Sequence, residues 1–246
     1  MIIAVWGNNG AGKSTLAVKL ASSFARQHKN VVLVDTNYSA PQSNVWYPNL
    51  PLKRSDSLSI LLDNDIPNVE VVASKIQVVS DNIGVLGYAK DYSSNMVPSR
   101  SDTPTILFER LVTFSDVVIV DCQSAIVQDI LSFTALDEAA DVRIVTMTPD
   151  LRGLSWYDAN VRMVEENWAN NGKTVIKTFN KVRLDAPVAD LEKIIGTAEY
   201  YLPFDVNIQR ELFAGTLGGE GHRKNSRQYT RVVDSIANDI TKRIEK

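Results

Sequence analysis

Cysteine is nearly missing from this chain: Cys122 is its one thiol in 246 residues. That excludes an internal disulfide and any Cys-x-x-Cys metal or redox motif, and it suits a reducing compartment, so a cytoplasmic location is expected. Histidine is almost as scarce. His28 and His222 have no second His or Cys at ligand spacing, which leaves no sequence signature of a zinc site. No stretch reaches the ~20 apolar residues of a membrane-spanning helix. The N-terminus lacks a basic segment followed by an apolar run and a small-residue cleavage site. Charge of one sign is not in excess either: the formal net charge is −3 and the pI about 5.5. Attraction of nucleic acid or anionic lipid would therefore have to come from a local patch. There is no internal repeat and no low-complexity tract.

What is present is apolar material, 44% of the residues, arranged in short Val/Ile-rich runs. These runs fall at Ile2–Trp6, Val31–Asp35, Ile83–Gly87, Val117–Asp121, Val142–Met147 and Thr174–Asn180, with a weaker one at Tyr200–Pro203. Continuous apolar runs of this length suit strands covered on both faces of a parallel sheet. Helical periodicity lies between them, over Leu16–Ala25, Pro104–Phe114, Ala125–Leu136, Leu151–Trp168 and Val188–Ile195. Strand alternating with helix predicts an α/β, doubly wound, mostly parallel sheet flanked by helices, as one domain spanning residues 1–246. Prolines and polar residues mark Tyr38–Ser55 and Asp91–Asp102 as loops, either functional or plain surface excursions.

The stretch Gly7-Asn8-Asn9-Gly10-Ala11-Gly12-Lys13-Ser14-Thr15 follows the first strand and opens the first helix. It matches the G-x-x-x-x-G-K-[ST] pattern in the context that pattern requires. Its glycines let backbone N–H groups wrap a phosphate, the helix adds a positive N-terminus, Lys13 reaches the β- and γ-phosphates, and Ser14 offers a hydroxyl to Mg²⁺. Two carboxylates close apolar strands, where ligands of open α/β sheets bind. Asp121 is a candidate metal contact or a helix cap. Asp35 is a second metal contact or a turn residue.

Taken in order, the loop Gly7–Thr15, Val32–Asp35, Asp116–Asp121, Val145–Asp150, Phe179–Lys181 and Leu202–Asp205 make the chain resemble the MinD/ParA family of ATPases over nearly its whole length. Within it the sequence looks most similar to the TadZ/CpaE-type proteins that position pilus machinery. The resemblance implies ATP or ADP as ligand, with Mg²⁺. It implies that Asn180 with Lys181 meets the adenine edge and that Pro203, Phe204 and Asp205 pack near the base. It also implies a homodimer closed across the nucleotide and a protein partner in an assembly or positioning machine.

Two departures bear on chemistry. Most family members carry a second lysine after the first loop glycine, which reaches the partner's phosphates; this chain has Asn8, which brings no charge. Members also place an aspartate two positions after the one matching Asp35, to position the attacking water; here it is Asn37, an amide that orients water but accepts a proton poorly. The expected catalytic set is Lys13, Asp35 and Asn37, the expected metal set Ser14, Asp35 and Asp121, and the expected behaviour a nucleotide switch with weak hydrolysis. A small-molecule phosphotransferase of the dethiobiotin-synthetase type and a DNA-partition ATPase with partner-stimulated turnover are the alternatives.

The C-terminal segment Ser226–Lys246 sets Val232, Val233, Ile236, Ile240 and Ile244 on one face. A core helix or a lipid-surface helix has this pattern. Just before and within it, Arg223, Lys224, Arg227 and Arg231 concentrate positive charge, either as a solvated loop or as a non-specific contact to DNA phosphates.

Overall fold

Strands without a polar face must be covered on both sides, and the computed structural model shows how this chain does it. The structure describes residues 1–50, 52–63, 67–90, 100–126, 129–219 and 226–245. Its strands are β1 (Ile2–Gly7), β2 (Val31–Asp35), β3 (Gln77–Ser80), β4 (Ile83–Leu86), β5 (Val117–Asp121), β6 (Val142–Met147), β7 (Thr174–Val182) and β8 (Tyr200–Pro203). They form one eight-stranded sheet in the order β3-β4-β2-β5-β1-β6-β7-β8. All neighbours run parallel except β3, which pairs antiparallel with β4 at the edge.

The alternation of side chains divides each run between two cores. Ile3 and Val5 of β1, with Val31 and Leu33 of β2, pack under α1 (Lys13–Arg26) and α11 (Arg227–Ile244). Ala4 and Trp6, with Val32 and Val34, face the opposite layer. That layer holds α3 (Leu58–Asp63), α4 (Val69–Lys75), α5 (Thr103–Leu111), α6 (Ile130–Thr134), α7 (Leu151–Asn160), α8 (Arg162–Asn170) and α9 (Val188–Ile195). The remaining α-helical segments among the described residues are a single turn, α2 (Ser43–Trp46), and α10 (Val206–Phe213), and α6 runs on into a π-helical turn at Ala135–Ala139.

The expected strands are all present. β3 was not foreseen, because a four-residue edge strand with alternating exposure gives no apolar run. The helix expected from Ala125 starts only at Ile130, where the Asp129 side chain accepts the N–H groups of Leu131 and Ser132 as an N-cap. The helix expected over Leu151–Trp168 is interrupted at Val161, beside Asn160, whose amide takes the Trp156 carbonyl at 2.9 Å. Within the expected loop 38–55 lie α2 and a short 3₁₀ turn at Arg54–Asp56. Of the other expected loop, residues 91–99 fall outside the described residues.

In α11, Val233, Ile236, Ala237 and Ile240 are buried against the core, which identifies its apolar stripe as packing surface. Arg227 and Arg231 are exposed on it, while Arg223 and Lys224 lie outside the described residues. Among the described residues, no helix is long and apolar enough to cross a membrane.

Gly7 ends β1 opposite Thr146 of β6, and a Cβ there would stand 1.9 Å from the Thr146 carbonyl oxygen. Backbone cannot yield to that contact cheaply, so Gly7→Ala is expected to cost about 3 kcal/mol or more, read as a lowered urea midpoint with an unchanged slope.

Candidate functional site

Seven parallel strands deliver their carboxyl ends to one edge of the sheet, and a cavity of about 520 Å³ opens there. On one side is the loop between β1 and α1. Gly10 and Gly12 take φ of 77° and 84°, values that favour glycine. Gly12 is also hemmed in: a Cβ would meet the Asn180 Nδ2 at 2.7 Å. No side chain caps α1 and no acidic residue sits in its first turn. The N–H groups of Lys13, Ser14 and Thr15 therefore begin a helix whose positive end faces the cavity without a covalent counter-charge.

Lys13 is largely buried. Its Nζ lies 2.7 Å from Ser124 Oγ and 3.5 Å from the Asn8 carbonyl oxygen. Burial lowers its pKa, against the opposing pull of Asp121. Asp121, 5% exposed, has its pKa pushed up to about 7 by burial, with Lys13 and the Ser14 hydroxyl working against that rise. Its Oδ1 is buried with no hydrogen-bond partner. An orphaned carboxylate oxygen beside a serine hydroxyl is a hard-oxygen donor set that fits Mg²⁺.

The other sequence candidates are placed differently. Asp35 is fully buried, and its Oδ2 accepts from Gln42 N (2.7 Å), Ser43 N (2.9 Å) and Ser43 Oγ (2.8 Å). Its Oδ1 accepts from Asn37 N at 3.1 Å. All four bonds anchor the loop after β2, and the side chain does not line the cavity. Asn37 does line it, but its Oδ1 accepts from Ser39 Oγ (3.0 Å) and Ala40 N (3.1 Å). Asn8 turns inward: it is 5% exposed, its Nδ2 donates to Thr148 Oγ1 at 3.1 Å, and its Oδ1 accepts Thr148 N at 3.0 Å. Asn9 is exposed at the loop tip and Ala11 is buried beneath it.

At the far end of the cavity, Asn180 is 2% exposed and its Oδ1 accepts Lys181 N at 2.8 Å. Lys181, at φ 61°, sends its Nζ back to the Gly10 carbonyl at 2.7 Å, tying β7 to the loop. Pro203 and Phe204 line the wall there, and the Arg183 guanidinium stands 4.3 Å over the Phe204 ring. Asp205 caps α10, accepting Asn207 N at 2.8 Å. That helix was missed in the sequence, although Asp205 before an apolar periodicity is a legible start. It adds Ile208, Leu212 and Phe213 to the wall, and α11 adds Tyr229. Gln123 and Ser124 were missed too, since they follow Asp121 in a segment read as approaching a helix.

Comparison with known proteins agrees with this geometry. The model of the CobQ/CobB/MinD/ParA nucleotide binding domain matches residues 2–243. The chain belongs to that family. Among solved structures, a putative plasmid partition protein from Borrelia burgdorferi B31 bound to AMPPNP has a TM-score of 0.74 at 17% identity, covering 97% of this chain and 98% of that one. A ParA family ATPase from Chlorobium tepidum TLS gives 0.73 at 17% identity, covering 96% and 97%. The septum site-determining protein MinD from Pyrococcus horikoshii OT3, complexed with Mg-ADP, gives 0.63 at 18% identity, covering 97% and 94%. No curated protein sequence matches the chain. At these identities the structures show a shared fold, the doubly wound sheet expected from the sequence of this family member. The TadZ/CpaE-type subclass is not among the matches described.

Burial that lifts Asp121 from its ordinary 3.8 to about 7 favours the protonated carboxyl in the folded state. The associated stability is full below pH ~4 and is lost as pH rises to about 7, at most ~4 kcal/mol. Metal-free protein should therefore lose unfolding free energy across that window, and Asp121→Asn should flatten the loss, as measured by denaturant titrations at stepped pH.

Proposed function

We propose that this chain binds ATP with Mg²⁺ in the cavity and acts as a nucleotide-gated homodimer that positions or assembles other cellular components, hydrolysing ATP slowly. The observation that carries this reading is convergence: the partly buried Lys13 ammonium and the uncapped first turn of α1 face the same cavity. Both favour a polyanion there. The AMPPNP on the Borrelia partition protein and the Mg-ADP on the Pyrococcus MinD support the choice of adenine nucleotide.

Each residue then has a role. Lys13 and the amides from Gly10 to Thr15 hold the phosphates, and Gly7 keeps the loop close to β6. Ser14 and Asp121 would hold Mg²⁺, which supplies charge neutralisation on the phosphate oxygens. Asp35 positions the loop through Asn37 and Ser43. Asn180 selects the base, with Lys181 fixing the loop tip and Pro203, Phe204 and Asp205 closing the far wall. The partner is a protein component of the machinery being positioned. The resemblance to TadZ/CpaE-type proteins makes pilus positioning the finer form of this reading.

Slow turnover follows from position 8. An asparagine folded onto Thr148 supplies no cation to a neighbouring subunit. A trans-acting cation is worth ~10³–10⁵ in rate in other phosphate-loop enzymes. The deciding experiment is molecular mass in solution with ATP-Mg²⁺, with ADP and without nucleotide. Doubling with ATP-Mg²⁺ alone is the expected result, and equal mass in all three states would refute the gated dimer. Asn8→Lys is expected to speed phosphate release at least ~10-fold. The same change should lower stability by about 1–3 kcal/mol, because Thr148 N loses its acceptor; a phosphate-release assay and a denaturant titration check the two effects.

A further inference from the structure

β2 and β5 pair in register with Asp35 opposite Asp121, so Asn37 and Gln123, each two residues further on, enter the same cavity from neighbouring strands. The two amides are used differently. The Asn37 oxygen is occupied by its own loop, through Ser39 Oγ and Ala40 N. Gln123 is held at its nitrogens instead: Nε2 donates to the Thr36 carbonyl at 3.1 Å, and the backbone N–H donates to Ser132 Oγ at 2.9 Å. Among the described residues no hydrogen bond reaches Gln123 Oε1.

The next residue sets this segment beside Lys13. Ser124 Oγ lies 2.7 Å from Lys13 Nζ, the ammonium that in phosphate loops grips the β- and γ-phosphates. The Ser124 carbonyl is held from below by the indole N–H groups of Trp6 (3.2 Å) and Trp156 (3.4 Å). The segment is thus anchored at Thr36, Ser132 and two tryptophans, and Gln123, with its unbonded Oε1, lines the same cavity as Lys13.

We propose that Gln123, not Asn37, orients the water that attacks the terminal phosphate in this chain. The inference rests on the reading that ATP occupies this cavity. In the step, the water oxygen bonds to the terminal phosphorus as the bond from that phosphorus to the bridging oxygen of ADP breaks. The amide accepts a hydrogen bond from the water and keeps no proton, so the proton ends on the phosphate released or in solvent. Because this oxygen acts by orientation alone, turnover stays slow while remaining dependent on it.

The test compares wild type, Gln123→Ala and Gln123→Glu, with ATP-Mg²⁺ affinity by calorimetry and phosphate release at saturating ATP. Gln123→Ala should keep affinity within about twofold and lose at least ~10-fold in release; Gln123→Glu, which retains an acceptor at the same reach, should stay within about threefold of wild type. Four results overturn the proposal while leaving nucleotide binding intact: unchanged release in the alanine variant, parallel loss of affinity and release, a glutamate variant as slow as the alanine one, or no release from wild type. Failure of all three proteins to bind ATP would remove the proposed function as well.

Discussion

A lysine ammonium drawn out of water needs negative charge, and at Lys13 the protein supplies only part of it. Asp121 is close enough to oppose the effect of burial on Lys13, yet its own proton affinity is raised to about 7. The remaining contacts are neutral oxygens of Ser124 and Asn8. The uncapped start of α1 adds its partial positive charge at the same place. Glycines at positions 7, 10 and 12 make this arrangement possible, one by close approach to β6 and two by left-handed backbone. A phosphate chain satisfies ammonium, helix end and loop amides together, and the family to which the chain belongs is a nucleotide-binding one.

Much of this was legible before any coordinates. Strands buried on both faces write themselves as unbroken Val/Ile runs, so the parallel strands from β1 to β8 could be read directly, as could Asp35 and Asp121 at their ends. Residues whose part depends on tertiary contact were not legible. Asp35 ends a strand like Asp121, but only the folded loop reveals that its four accepted bonds go to Asn37, Gln42 and Ser43. Asn8 reads as a missing cation, and only the pairing of β1 with β6 brings it against Thr148. The edge strand β3 is short with alternating exposure and leaves too little periodicity to find it, whereas α10 offered a readable start at Asp205 that went unused.

The departures at positions 8 and 37 now have a common physical sense. Both asparagines are tied into local structure, Asn8 to the end of β6 and Asn37 to the turn it caps. Each bonds to its own local scaffold: Asn8 to Thr148, and Asn37 Oδ1 to Ser39 and Ala40. Asn8 is turned away from the cavity onto Thr148, while Asn37 lines the cavity with its Oδ1 held by its own loop. Gln123, held by Thr36 and Ser132, and Ser124, whose carbonyl accepts from Trp6 of β1 and Trp156 of α7, form the cavity wall beside Lys13.

The central claim is that adenosine triphosphate settles on the loop amides under the Lys13 ammonium. Isothermal calorimetry of ATP with Mg²⁺ into the purified chain, with Lys13→Ala as control, tests it most directly. The account predicts saturable heat at one site per chain, lost in the variant. Absence of heat with the wild-type protein, or equal heat with Lys13→Ala, would contradict it.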